Sequence, residues 1–146
     1  MADATTSSID IAAAPDDVMA VIADFEAYPE WVDQVSAVEV VDPGDDGWAG
    51  RVKFTMDATP IKDTYTLAYT WAPDGRSVSW TLVKGQMQKA RDGSYTLVER
   101  GGTTTVTYAL AVDLTIPMIG MLRRKAEKMI INAALTGLKR RVETGS

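Results

Sequence analysis

The chain has 146 residues, 46% of them apolar and 24% charged, which is the make-up of one globular domain long enough to bury its own core. Cysteine and histidine are both absent, so disulfides, thiol nucleophiles, iron–sulfur clusters, the usual zinc sites and every catalytic device built on imidazole are excluded. The net charge of −5 argues against general nucleic-acid binding, yet it is unevenly spread: residues 1–57 hold 13 acidic side chains against 2 basic, and residues 58–146 hold 7 against 13.

Thr5–Ile11 reads as a strand, ended by Ala12-Ala-Ala-Pro15. Pro15 suits the first position of a helix, and Asp16 and Asp17 favour its N-terminus. Val18, Met19, Val21 and Ile22 give that short helix an apolar face, and it ends near Asp24, read as a residue that turns the chain. Next comes Phe25-Glu-Ala-Tyr28-Pro29-Glu-Trp31-Val32, read as a second short helix with a broken entry because Pro29 disfavours helix at Tyr28.

From Val35 to Asp113 the apolar period is two. Strands are predicted over 35–41, 48–56, 63–71, 77–84, 94–99 and 104–113. Turns are predicted at residues 42–47, Pro73-Asp-Gly75, Arg91-Asp-Gly93 and Gly101-Gly102. Such short Gly- and Asp-bearing connections suit antiparallel hairpins and leave no room for parallel crossovers. Pro117 then opens a helical pattern to about Val142, roughly 40 Å at 1.5 Å per residue and long enough to cross a sheet. No repeat or linker divides the chain, so residues 1–146 are read as a single domain.

The expected fold is α+β: a curved seven-stranded antiparallel sheet wrapped around a long C-terminal helix, with two short helices after the first strand. Clean alternation along the strands means that one face is covered and the other wet. The inward parity carries Phe54, Met56, Tyr65, Tyr69, Trp80 and Tyr108, large side chains that either fill the concave side or line a cavity there. On the long helix, Ile119, Leu122, Ala126, Met129 and Ala133 are taken as the sheet-facing seam. Ile131, Leu135, Leu138 and Val142 form a second seam, for the sheet end, the short helices, a ligand wall or a dimer contact. Lys125, Lys128, Asn132 and Lys139 mark the wet side. Met56, Met87 and Met129 would add an adaptable wall.

Few polar residues share the inward parity: Asp63, Lys84 and Glu99, each at a strand end where reaching water is the simpler role. If enclosed, a carboxylate or lysine would become a usable acid or base. The phenols Tyr65, Tyr69 and Tyr108 would donate hydrogen bonds to a carbonyl or enolate. Tyr65, Tyr69, Asp63 and Lys84 are thus the weak catalytic candidates.

Ile9-Asp-Ile-Ala-Ala-Ala-Pro15, then Val18, Val21-Ile-Ala-Asp24 and Tyr28-Pro-Glu-Trp31, followed by the strand ladder and terminal helix, resemble the START-like superfamily. This is the polyketide cyclase/dehydrase and lipid-transport family, and the likeness is to its small bacterial members. The resemblance implies a helix-grip fold with a hydrophobic cavity for lipids, polyketides, sterols or isoprenoid quinones. It also implies that Tyr28 and Trp31 stand at the cavity mouth as a gate or as a plug. The expected ligand-contacting residues are Phe25, Tyr28, Trp31, Phe54, Met56, Tyr65, Tyr69, Trp80, Met87, Tyr108, Leu122 and Met129.

The preferred function is a carrier or binding protein for a hydrophobic small molecule. A polyketide-type cyclase or dehydratase is the alternative, and an interaction module working through the basic C-terminal helix is a third. No cofactor, metal or nucleic acid is expected. Peripheral membrane contact is left open, as is the choice between monomer and weak homodimer. The polar, acidic start shows no signal-peptide pattern and no apolar run approaches the ~20 residues of a membrane helix, so a cytoplasmic protein is expected.

Overall fold

The computed structural model describes residues 4–44, 46–58, 61–115 and 120–145. Strand β1 (Thr5–Ile11) is followed by helix α1 (Pro15–Ala23), a 3-10 turn at Phe25–Ala27 and the short helix α2 (Tyr28–Trp31). Strands β2 (Val35–Asp42), β3 (Arg51–Ala58), β4 (Ile61–Trp71), β5 (Ser77–Lys84), β6 (Gln88–Arg100) and β7 (Thr103–Leu114) then form a meander, and α3 (Gly120–Thr144) closes the chain. All neighbours in the single sheet are antiparallel, in the order β1-β7-β6-β5-β4-β3-β2. This is the expected α+β helix-grip architecture. Pro117 and Ile119, expected in the long helix, lie outside the described residues.

Pro15 stands in the first turn of α1 with Asp16 and Asp17, while Val18, Met19 and Ile22 are buried. Helix α2 begins at Tyr28, despite the proline that follows it, with Tyr28 itself in helical conformation. Tertiary contacts override the local preference. The Tyr28 hydroxyl donates to the Ile22 carbonyl, and its ring packs 5.2 Å from Phe25 and 4.8 Å from Trp31.

Two departures from expectation matter for the site. Arg91-Asp92-Gly93 is no turn: it lies inside β6, a strand of 13 residues. The actual turn before β6 is Gly85-Gln86-Met87, held by the Asp63 carboxylate, which accepts the amides of Gln86, Met87 and Gln88 at 2.8–3.1 Å. Gly93 is there because it pairs with Trp80 across the ladder and the indole lies over it; a Cβ at that position would come within 2.4 Å of the ring.

The second departure concerns α3. Its buried stripe is Ala126, Glu127, Ile130, Ile131, Ala134, Leu135, Gly137 and Leu138. The seam assigned to the sheet is mostly outside: Leu122 is 48% and Met129 42% exposed, and of that seam only Ala126 is buried among the described residues. The second seam, Ile131, Leu135 and Leu138, with Val142 partly buried, is the one that docks. Helix α3 rests chiefly on β1 and β7 and also meets α1.

Candidate functional site

Register builds the inner face. Phe54 pairs with Tyr65 across β3 and β4, Tyr69 with Trp80 across β4 and β5, and Tyr95 with Tyr108 across β6 and β7. Direct cross-strand pairing on one face brings rings into contact. Ring centroids lie 5.6 Å apart for Phe54 and Tyr65, 4.6 Å for Tyr95 and Tyr108, and 5.5 Å for the edge-on pair Trp80 and Tyr108. Phe25 links the short helices to this row at 4.8 Å from Tyr69.

The rings leave a cavity of about 50 Å³ between the sheet, α2 and α3. Its walls are Tyr28, Val32, Gln34, Val35, Phe54, Met56, Tyr65, Leu67, Tyr69, Trp80, Arg91, Tyr95 and Tyr108, with Ile130 and Ala134 of α3. The concave side is therefore largely filled by its own aromatics.

Arg91 is the polar centre of this cavity and is only 4% exposed. Its Nη1 donates to the Met56 sulfur at 3.2 Å and to Gln88 Oε1 at 3.3 Å, and the guanidinium stands 4.8 Å over the Tyr65 ring. The Tyr65 hydroxyl also donates to the Met56 sulfur, at 3.2 Å. Burial pushes the Tyr65 phenol up to about 12, with the Arg91 charge pulling the other way. Burial likewise raises Tyr28, Tyr69, Tyr95 and Tyr108, so all five tyrosines of the chain are neutral donors at neutral pH. For Arg91, burial opposes the charge, but interaction with Tyr65 and Tyr108 outweighs it and the net shift is upward.

Of the residues expected to contact a ligand, Tyr28, Phe54, Met56, Tyr65, Tyr69, Trp80 and Tyr108 line the cavity. Phe25 and Trp31 are buried beside it without lining it. Met87 sits half-buried in the turn before β6, away from the cavity. Leu122 and Met129, expected at the ligand, lie instead on the exposed side of α3 and do not line the cavity. Asp63 is buried, but its oxygens face backbone amides and the Gln88 side chain. Lys84 is exposed, because the ladder steps from Thr66 opposite Lys84 to Leu67 opposite Leu82 and this bulge at Val83 breaks the alternation. Glu99 is exposed near the end of β6. Val32, Gln34, Val35, Leu67, Arg91, Tyr95, Ile130 and Ala134 join the cavity without having been among the expected ligand contacts. Counting by twos from Leu97 and Tyr95 through Gly93 reaches Arg91, and only the turn signature of Asp92-Gly93 hides that parity.

Residues 2–143 match the family described as polyketide cyclase / dehydrase and lipid transport. No curated protein matches the sequence. The fold is similar to that of a START superfamily protein from Mycobacterium smegmatis (TM-score 0.91, 18% identity, 99% of this chain and 100% of that one). It is also similar to a protein from Thermus thermophilus (TM-score 0.81, 23% identity, 98% and 99% covered). A third similar structure is the Zhui aromatase/cyclase from Streptomyces (TM-score 0.76, 17% identity, 98% and 97% covered). Among the described residues no helix is long and apolar enough to cross a membrane. With all but a few terminal residues matched, this chain belongs to the polyketide cyclase/dehydrase and lipid transport family.

Proposed function

We propose that this protein binds a hydrophobic small molecule (a lipid, polyketide, sterol or isoprenoid quinone) between the sheet and α3, as a carrier or binding protein. The observation that carries this reading is the polar tipping of the interior. Tyr28, Tyr65, Tyr69, Tyr95, Tyr108 and Trp80 all converge on one cavity, where packing alone is better served by Leu, Ile and Phe. Membership in the family supports it.

The cavity of about 50 Å³ has room for about three to five waters at roughly 10–15 Å³ each. Drug-sized ligands occupy about 300–1,000 Å³, so loading requires the grip to open. The packing favours a definite direction of opening. Helix α3 is anchored on β1 and β7 and meets β3 only lightly, so the opening expected on loading is on the β3–β5 side. Native mass spectrometry of protein purified from its own host is expected to show a retained apolar molecule. Delipidated protein is expected to gain thermal stability with members of these ligand classes. No retained mass and no shift with any fatty acid, quinone or polyketide mimic would remove the reading.

A cyclase or dehydratase is favoured by one observation, the Arg91 guanidinium beside the neutral phenols of Tyr65 and Tyr108. These donors suit a developing enolate, while Asp63 and Lys84 are not positioned to serve as the base. Under this reading, Tyr65→Phe and Tyr108→Phe lower turnover of a polyketide mimic without weakening its binding. Contact with an anionic membrane is favoured by another observation: Met121, Leu122 and Met129 are exposed on the same helix as the exposed Arg124, Lys125 and Lys128. Co-sedimentation with anionic vesicles at low salt tests it, and protein left in the supernatant refutes it.

A further inference from the structure

Arg91 is a buried cation whose hydrogen-bond partners among the described residues are uncharged, and its link to a carboxylate runs through Gln88 to Asp63. Among the described residues no carboxylate forms an ion pair with it, although five other ion pairs are made on the surface. Its Nη1 partners, a thioether and an amide oxygen, are uncharged and stand at 3.2 and 3.3 Å. Its Nε–H has no acceptor among the described residues, and neither does the Trp80 Nε1–H on the same cavity wall. A buried charge without a counter-charge is costly, and so is each unmatched buried donor. Two residues with an unmatched donor, one of them fully charged, therefore line one small void, with neutral phenols and the unmatched Gln34 Oε1 on the same wall.

We infer that the ligand is an acid: an apolar molecule ending in a carboxylate, whose head occupies this cavity on Arg91 with Trp80 Nε1 as a second donor. The inference rests on the binding function proposed above and names the chemistry of the ligand's polar end. Volume agrees with it. The cavity of about 50 Å³ already suits a group the size of a carboxylate, and only the apolar remainder needs the grip to open. The guanidinium plane offers a carboxylate paired, charge-assisted hydrogen bonds, and the low dielectric strengthens them. Gln88 fits the arrangement. Its Oε1 accepts from Arg91 while its Nε2 donates to Asp63 Oδ2 at 3.3 Å, so it holds the guanidinium in place and keeps the Asp63 charge one residue away.

The test compares matched pairs of probes on delipidated protein by calorimetry: decanoate against 1-decanol, and 2-naphthoate against 2-naphthylmethanol. The acid of each pair is expected to bind at least tenfold more tightly than the alcohol. Arg91→Met is expected to remove that preference, the acid losing at least tenfold more affinity than the alcohol. Equal affinity for acid and alcohol in the wild-type protein overturns the inference and leaves the binding function standing. Binding of neither member of either pair overturns both. The wild-type comparison needs no variant to fold.

Discussion

Gly93 shows how one residue type carries two opposite meanings. In sequence, Asp92-Gly93 has the signature of a tight turn; in the fold, the glycine is the floor under an indole. Gly93→Ala puts a methyl within 2.4 Å of the Trp80 ring, which must tilt into the cavity or push β6 from β5. The expected cost is about 1–3 kcal/mol, read as a lower urea midpoint with altered tryptophan fluorescence. An unchanged midpoint would mean that the ring moves freely and the contact carries no weight. Arg91 is the linked case. Its inward parity is countable from Tyr95, but its lack of a counter-charge depends on what β3 and β4 bring opposite it. Asp63 is the converse. A buried carboxylate near a strand end looks chemical in sequence, yet the three amides of residues 86–88 make it the organiser of a turn.

Among the secondary-structure elements, the strands were legible and the orientation of α3 was not. Strand alternation is local, and every inward aromatic from Phe54 to Tyr108 is seen where period two puts it, except where the bulge at Val83 ends the count at Lys84. Helix α3 carries two apolar seams of the same 3-and-4 spacing, so periodicity alone does not choose between them. The residue that conceals the docked face is Glu127, a carboxylate with no exposed surface in the middle of the buried stripe. Its role follows from the sheet edge. The described part of β1 begins with Thr5 opposite Leu110, and two residues further along β7 Glu127 accepts from the Val112 amide at 2.7 Å. The other oxygen accepts from the Thr5 hydroxyl, also at 2.7 Å. Close approach elsewhere depends on Gly137, whose missing Cβ would lie 2.3 Å from the Trp31 carbonyl oxygen. Glu127→Ala leaves one buried and one half-buried donor and a hole, a loss of about 2–4 kcal/mol in chemical denaturation. Hydrogen exchange at the Val112 amide is expected to accelerate beyond the global change, and unchanged exchange there would refute the capping role.

The molecule taken whole has a pH signature. Four of the five tyrosines are buried and Tyr69 is half-buried, and each has its phenol raised, Tyr65 to about 12. In the unfolded chain they ionise near 10.0, so above that pH the unfolded state has released protons that the folded state still binds. Stability from these groups is therefore complete below pH 10 and falls as pH rises toward the folded values. Tyrosinate absorbance is expected to stay low in the folded protein and to appear together with the loss of circular dichroism. Gradual ionisation near pH 10 with the fold intact would show that the interior is wet.

The residue order is enough to specify the class of fold, the succession of elements, the single antiparallel layer and the ring-bearing inner face. Each of these is set by local period, turn chemistry and chain length between elements. Three-dimensional packing is needed to choose which seam of α3 docks, to leave Arg91 uncompensated among the phenols, and to close the grip to a cavity of about 50 Å³. Those outcomes depend on one bulge, one ring lying over a glycine and one carboxylate reaching a strand amide. All three are meetings between residues far apart in the chain, and no local pattern records them.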